Sequence, residues 1–202
     1  MRDWLKRRFQ RRPKKDDRSW EEQWDARQAA LESVLGKAEN TVYHALIPLY
    51  LGGFADVLRF RNYIDGVAYA TADLTGDSSQ IENELGNYEL MICMREESNW
   101  ACGIMSKLAR YTLESKLSPG ETMDIGPATP DGSSVSAFLF CRPELSHPTF
   151  TVQGVRCGLL LCIGITDEEI AVCKGEGSKR VLTRLKEAGI FPFTDLNRAS
   201  VV

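Results

Sequence analysis

Histidine is the side chain most often recruited as a general base, and this chain offers two, His44 and His147. His44 adjoins Ala45-Leu46-Ile47-Pro48, His147 precedes Pro148, and no serine stands in a Gly-x-Ser-x-Gly frame. Both therefore read as structural or surface histidines. Six cysteines (Cys93, Cys102, Cys141, Cys157, Cys162, Cys173) contain no Cys-x-x-Cys pair. The closest two, Cys157 and Cys162, fall in a strand-like run where their odd offset sends them to opposite faces, so they cannot close on one metal. They read as free, buried thiols in a reducing compartment. Gly175-Glu176-Gly177-Ser178-Lys179 puts an acid between its glycines and lacks the phosphate-loop spacing, so it reads as a break between two helices. The acidic triplet Asp167, Glu168 and Glu169 suits the first turn of a helix, where carboxylates complement the dipole without a metal. No catalytic, cofactor or metal constellation is complete, so the expectation is a non-enzyme without cofactors.

The elements that would position such residues belong to one α+β domain behind an N-terminal extension. With 202 residues, 43% hydrophobic and 26% charged, the chain can bury a core and is not a disordered polymer. Its basic start (Arg2, Lys6, Arg7, Arg8) runs into further basic residues instead of an apolar signal-peptide core, and Val42–Leu58 is interrupted by His44, Pro48, Gly52, Gly53 and Asp56. The expected location is the cytoplasm. Charge divides the chain: residues 1–18 hold nine Lys and Arg against three Asp, a net of +6, which leaves −9 for residues 19–202 within the overall −3. The arm, residues 1–18, carries Trp4, Leu5 and Phe9 among its charges. That composition fits a weak contact with membrane or nucleic acid, a solvated terminus, or a segment folded back on the acidic body. The acidic body disfavours nucleic acid and favours basic protein surfaces.

Residues 19–41 hold a helix and a connection. Ser19 with Glu22 has capping-box spacing, and Trp20, Trp24, Ala30, Leu31, Val34 and Leu35 share a face up to Gly36. Leu58–Arg61 and Val67–Leu74 flank the Asp65-Gly66 turn as a hairpin, and Tyr88–Met94 is a third strand with Tyr, Leu, Ile and Met on one face. Ser98 caps a second helix running through Ser115. A Gly/Pro-rich connection, Ser118–Ser134, leads to strands at Val135–Phe140, Phe150–Val152 and Val155, then to the doubly buried run Gly158–Ile165. Thr166 with Glu169 opens a short helix, and Ser178 starts another that ends at Gly189. Strands grouped with strands favour α+β, with a mixed, largely antiparallel sheet flanked by helices, over a doubly wound sheet.

Read in order, Thr71-Ala72-Asp73-Leu74, Tyr88-Glu89-Leu90, Ile104–Tyr111, Pro119-Gly120-Glu121-Thr122, Gly158–Leu161, Leu185–Gly189 and Asp195-Leu196-Asn197-Arg198 resemble the Suppressor-of-fused domain family, particularly its bacterial members, over residues 42–202. The resemblance implies a mixed α/β domain that acts by binding another protein. It offers two roles, an immunity-type protein that neutralises a cognate, basic toxin domain, or a regulatory adaptor. It carries no functional residues, so the partner-binding face stays unassigned. The competing expectation is a small-molecule enzyme with a dispersed site, drawn from Cys141, His147 and the Gly126–Gly132 loop.

Overall fold

The computed structural model describes residues 18–76, 79–145, 147 and 149–202, with the side chains of residues 18–20 left out. The arm through residue 17, the Ser19 capping pattern and the Trp20 ring lie outside the described residues.

Among the described residues four helices flank one seven-stranded sheet: α1 (Arg18–Leu35), β1 (Val57–Phe60), β2 (Val67–Thr71), β3 (Asn87–Met94), α2 (Asn99–Tyr111), β4 (Thr122–Asp124), β5 (Ala137–Cys141), β6 (Thr149–Val152), β7 (Val155–Ile165), α3 (Asp167–Glu176) and α4 (Ser178–Glu187). The sheet order is β1-β2-β3-β7-β5-β4, with β6 also on β7. Among the described strands only β3 and β7 pair in parallel, so the sheet is mixed and largely antiparallel, and the α+β expectation holds. Among the described residues no helix is long and apolar enough to cross a membrane.

Both faces of the central strands are covered, which is why they read as near-continuous apolar runs. Along β3, Tyr88, Leu90, Ile92 and Met94 pack with α2 on one face, while Met91 and Cys93 join Leu31 and Leu35 of α1 and Val181 and Leu185 of α4 on the other. The sequence pattern assigned only the first of these faces. β7 is one eleven-residue strand: β6 and β5 lie in succession along one side of it and β3 along the other. Gln153 (φ 49°) and Gly154 (φ 84°) form the two-residue turn joining β6 to β7, with the positive φ pair that matches strand twist.

Several boundaries differ from expectation. α2 ends at Tyr111, short of Ser115, because the Thr112 hydroxyl and amide both turn back to the Ala109 carbonyl. The Ser118–Ser134 connection contains β4 and a short 3-10 turn at Gly126–Ala128. Three residues between glycines and prolines are too few to show strand alternation. The caps are as read: Ser98 accepts from the Ala101 amide, and Thr166 and Glu169 form a reciprocal capping box.

Candidate partner-binding surfaces

The residues expected to carry chemistry are not assembled into one centre. All six cysteines are free and buried, and among the described residues no group of three or more His, Cys, Asp or Glu side chains is placed to hold a metal ion. Burial pushes the Cys141 thiol up to about 12, so it is not a thiolate near neutrality. Cys141 ends β5, whereas the Gly126–Gly132 loop sits at the opposite end, where β4 hands over to β5. The length of β5, about 13 Å at roughly 3.3 Å per residue, separates them. His147 is exposed beside a cavity of about 210 Å³ lined by Ser33, Tyr63 and Glu144. His44 is also exposed, and its Nδ1 lies 2.8 Å from Asp56 Oδ2. The structure thus separates the Gly126–Gly132 loop from Cys141, while His147 lies toward the Cys141 end, where Tyr63 and Glu144 neighbour both.

Buried polar chemistry sits elsewhere, in two carboxylate centres. Glu169 is fully buried and accepts from both terminal nitrogens of Arg198, each at 2.5 Å, and from the amides of Thr166 and Val201, each at 3.0 Å. Burial alone would raise its pKa. The Arg198 and amide donors outweigh that and hold it below the ordinary value. On β3, Glu89 is also fully buried and accepts from the Thr71 and Thr75 hydroxyls and the Leu74 and Thr75 amides. Beside it Asp73 accepts from the Asp56 amide and faces Arg27 of α1 at 3.8 Å. The sequence placed Glu169 as a dipole complement and as the capping-box partner of Thr166, and nothing in residue spacing pairs it with Arg198, 29 positions away.

The two sheet edges differ. β1 is closed by residues 38–43: the Glu39 amide bonds to Arg59, and Tyr43 exchanges both backbone bonds with Val57. Among the described residues β4 pairs with β5 alone. The Phe140 amide donates to Glu121 and the Ile125 amide to Ser136. Antiparallel alternation therefore turns the amides and carbonyls of Thr122 and Asp124 away from β5. Next to this open edge, a cavity of about 400 Å³ that includes Lys116, Thr122 and Ser178 adjoins one of about 420 Å³ that includes Asp124 and Asp167, with Lys174 lining both.

A second surface is apolar. Six of the ten exposed large hydrophobic residues among the described ones fall in Tyr43–Phe54, with Leu46 98% and Leu51 66% exposed. This prong is built rigidly. The Gly53 amide bonds to Pro48 and the Phe54 amide to Ile47, Leu49 is buried beneath, and Arg110 of α2 holds the Gly52 carbonyl at 2.6 Å. At Gly53 a Cβ would lie 1.8 Å from the Ile47 oxygen, so only glycine fits.

The domain is thus an α+β fold with one closed and one open sheet edge. The model for Suppressor of fused protein (SUFU) matches residues 55–199. The chain belongs to the Suppressor of fused family. Among solved structures it resembles the SUFU homolog from Neisseria gonorrhoeae FA 1090, with 20% identity and a TM-score of 0.66 over 90% of this chain and 98% of that one. It also resembles a chain of the Sufu–Fu complex (14% identity, TM-score 0.68, 88% and 89% covered). Drosophila Suppressor of Fused matches at 14% identity and TM-score 0.63, over 77% of this chain and 46% of that one. At these identities the likeness is one of fold. A search of curated proteins found no match.

Proposed function

We propose that this chain is a non-catalytic protein-binding domain that captures an extended segment of its partner along β4. The observation that carries this reading is the open edge, whose Thr122 and Asp124 backbone groups point away from β5 beside a polar groove. An added strand would satisfy those groups in series, and groove side chains would select its residues. Family membership agrees, since one structural relative is a complex of Sufu with Fu. The finer role we favour is toxin immunity in the cytoplasm. The −9 carried by residues 19–202 suits a basic toxin domain, and six free buried thiols suit a reducing compartment.

Thr122→Pro tests the reading, because proline at an edge position deletes only the outward amide and leaves the β5 ladder intact. Tagged wild-type chain purified from its native host should retain a stoichiometric, basic protein, and Thr122→Pro should lose it while keeping its thermal midpoint. A wild-type chain that purifies alone at every growth phase, or a partner retained equally by Thr122→Pro, would overturn the reading.

A further inference from the structure

We infer that the Tyr43–Phe54 prong and the exposed face of α2 form a second docking surface, separate from β4, that takes an acidic amphipathic helix of a protein partner. The prong exposes Leu46, Ile47, Tyr50 and Leu51 together, a concentration that isolated surface hydrophobics do not produce. It is preorganised: a 3-10 turn at Leu49–Leu51, Gly52 at φ 88° and the Ser106–Ala55 and Arg110–Gly52 bonds fix it to α2. A fixed apolar surface gives up little entropy on binding, so its exposure costs the free protein without serving the core.

Charge selects the occupant. From Thr41 to Ala55 there is no Asp, Glu, Lys or Arg, and the adjoining exposed α2 positions supply Lys107 and Arg110, with Glu114 only beyond the last turn. Arg110 spends a nitrogen on a carbonyl and not on an acid. An apolar wall beside a cationic floor therefore faces out from a body that is otherwise net negative. At Gly103, one turn before Lys107, the Tyr43 hydroxyl lies 4.0 Å from where a Cβ would sit, so the prong abuts α2 beside its cations. A helix with an apolar stripe edged by Asp or Glu meets both features. A second copy of this chain fits less well, because a two-fold contact would bring Lys107 and Arg110 toward their own images. An anionic bilayer attracts the same two cations but repels the −9 body, whereas an acidic helix edge senses only charges within about 8 Å.

The test uses the full chain and two fluorescein-labelled amphipathic peptides with the same leucine stripe, one edged with glutamate and one with lysine. Fluorescence anisotropy should show tighter binding of the glutamate peptide. Leu46→Asp/Leu51→Asp should weaken it by about tenfold or more, the effect of removing central apolar anchors. Both side chains are exposed, so the fold is kept. Lys107→Glu should narrow or reverse the peptide preference, and Thr122→Pro should leave it unchanged, which separates this surface from β4. Equal binding of the two peptides, or no loss in Leu46→Asp/Leu51→Asp, overturns the inference. So does retention by phosphatidylserine–phosphatidylcholine vesicles without peptide binding, or a Leu46-dependent dimer in gel filtration.

Discussion

Glu169 and Asp73 are both carboxylates drawn out of water, and they answer burial in opposite ways. Glu169 has two guanidinium nitrogens at 2.5 Å and two amides at 3.0 Å, and its pKa falls. Asp73 is raised to about 6. Burial comes first there, one donated amide from Asp56 opposes it, the carboxylates of Asp56 and Glu89 add to it, and Arg27 at 3.8 Å compensates only in part. The difference teaches that depth does not set the protonation state of a buried acid; the number and closeness of its donors do. It also divides the molecule functionally. The Glu169 centre ties α3, β7 and the last residues of the chain into one piece through Arg198, which also bonds the Gly164 carbonyl. The Asp73 centre links α1, through Arg27, to Asp56, whose carboxylate holds the Ala45 amide at the base of the apolar prong.

The largest effect should come from breaking the better-compensated centre. Arg198→Met leaves Glu169 charged, fully buried and without its guanidinium, and should cost about 3–5 kcal/mol, read as a lowered urea midpoint at unchanged slope. Glu169→Leu/Arg198→Met should recover most of that loss, because the cost of a broken buried pair lies in the orphaned charge. A double variant as unstable as the single one would show that Glu169 acts through its amide partners instead.

The two centres should also separate on a pH axis. Glu169, with its folded pKa depressed, contributes stability that is present above its unfolded value near 4.5 and lost as pH falls through the lower folded value. Asp73, raised from 3.8 to about 6, has the opposite sign: its contribution is present below 3.8 and lost as pH rises through about 6. A shift of about two units bounds that loss at about 3 kcal/mol. Chemical denaturation between pH 4 and 7 should therefore show a falling limb that Asp73→Asn removes, since asparagine keeps an acceptor for the Asp56 amide without the charge. An unchanged limb in Asp73→Asn would assign it to another group and dissolve the contrast.

What could be read beforehand follows the range of the interactions. The capping box at Thr166 and Glu169, the helical stripe carrying Leu31 and Leu35, and the apolar run of β7 are local patterns, and each stands where its spacing put it. Arg198 with Glu169, and Arg27 with Thr75, join residues 29 and 48 positions apart, and no periodicity connects them. β4 escaped because its three residues gain their strand character from β5 and not from their own alternation. The prong was visible only as an apolar stretch too broken to span a membrane. Its exposure depends on α2 packing beneath Leu49 and Ala55 while leaving Leu46 and Leu51 outside, which is a tertiary fact.

The smallest effect asks how Glu169 divides its work. Its Oε2 accepts from both the Thr166 amide, as half of the capping box, and Arg198, as half of the ion pair. Thr166→Ala removes the hydroxyl that accepts from the Glu169 amide at 3.4 Å but leaves the Glu169 carboxylate, the Thr166 amide and Arg198 in place. The loss should then be that of one helix cap, about 1 kcal/mol. Ser98→Ala, which deletes the N-cap of α2 without touching Glu169 or Arg198, should cost about the same. If Thr166→Ala instead approaches the cost of Arg198→Met, the cap is what orients Glu169 toward Arg198. The centre would then be a single cooperative network, and the contrast with the loosely held Asp73 would lie in side-chain orientation and not in donor count alone.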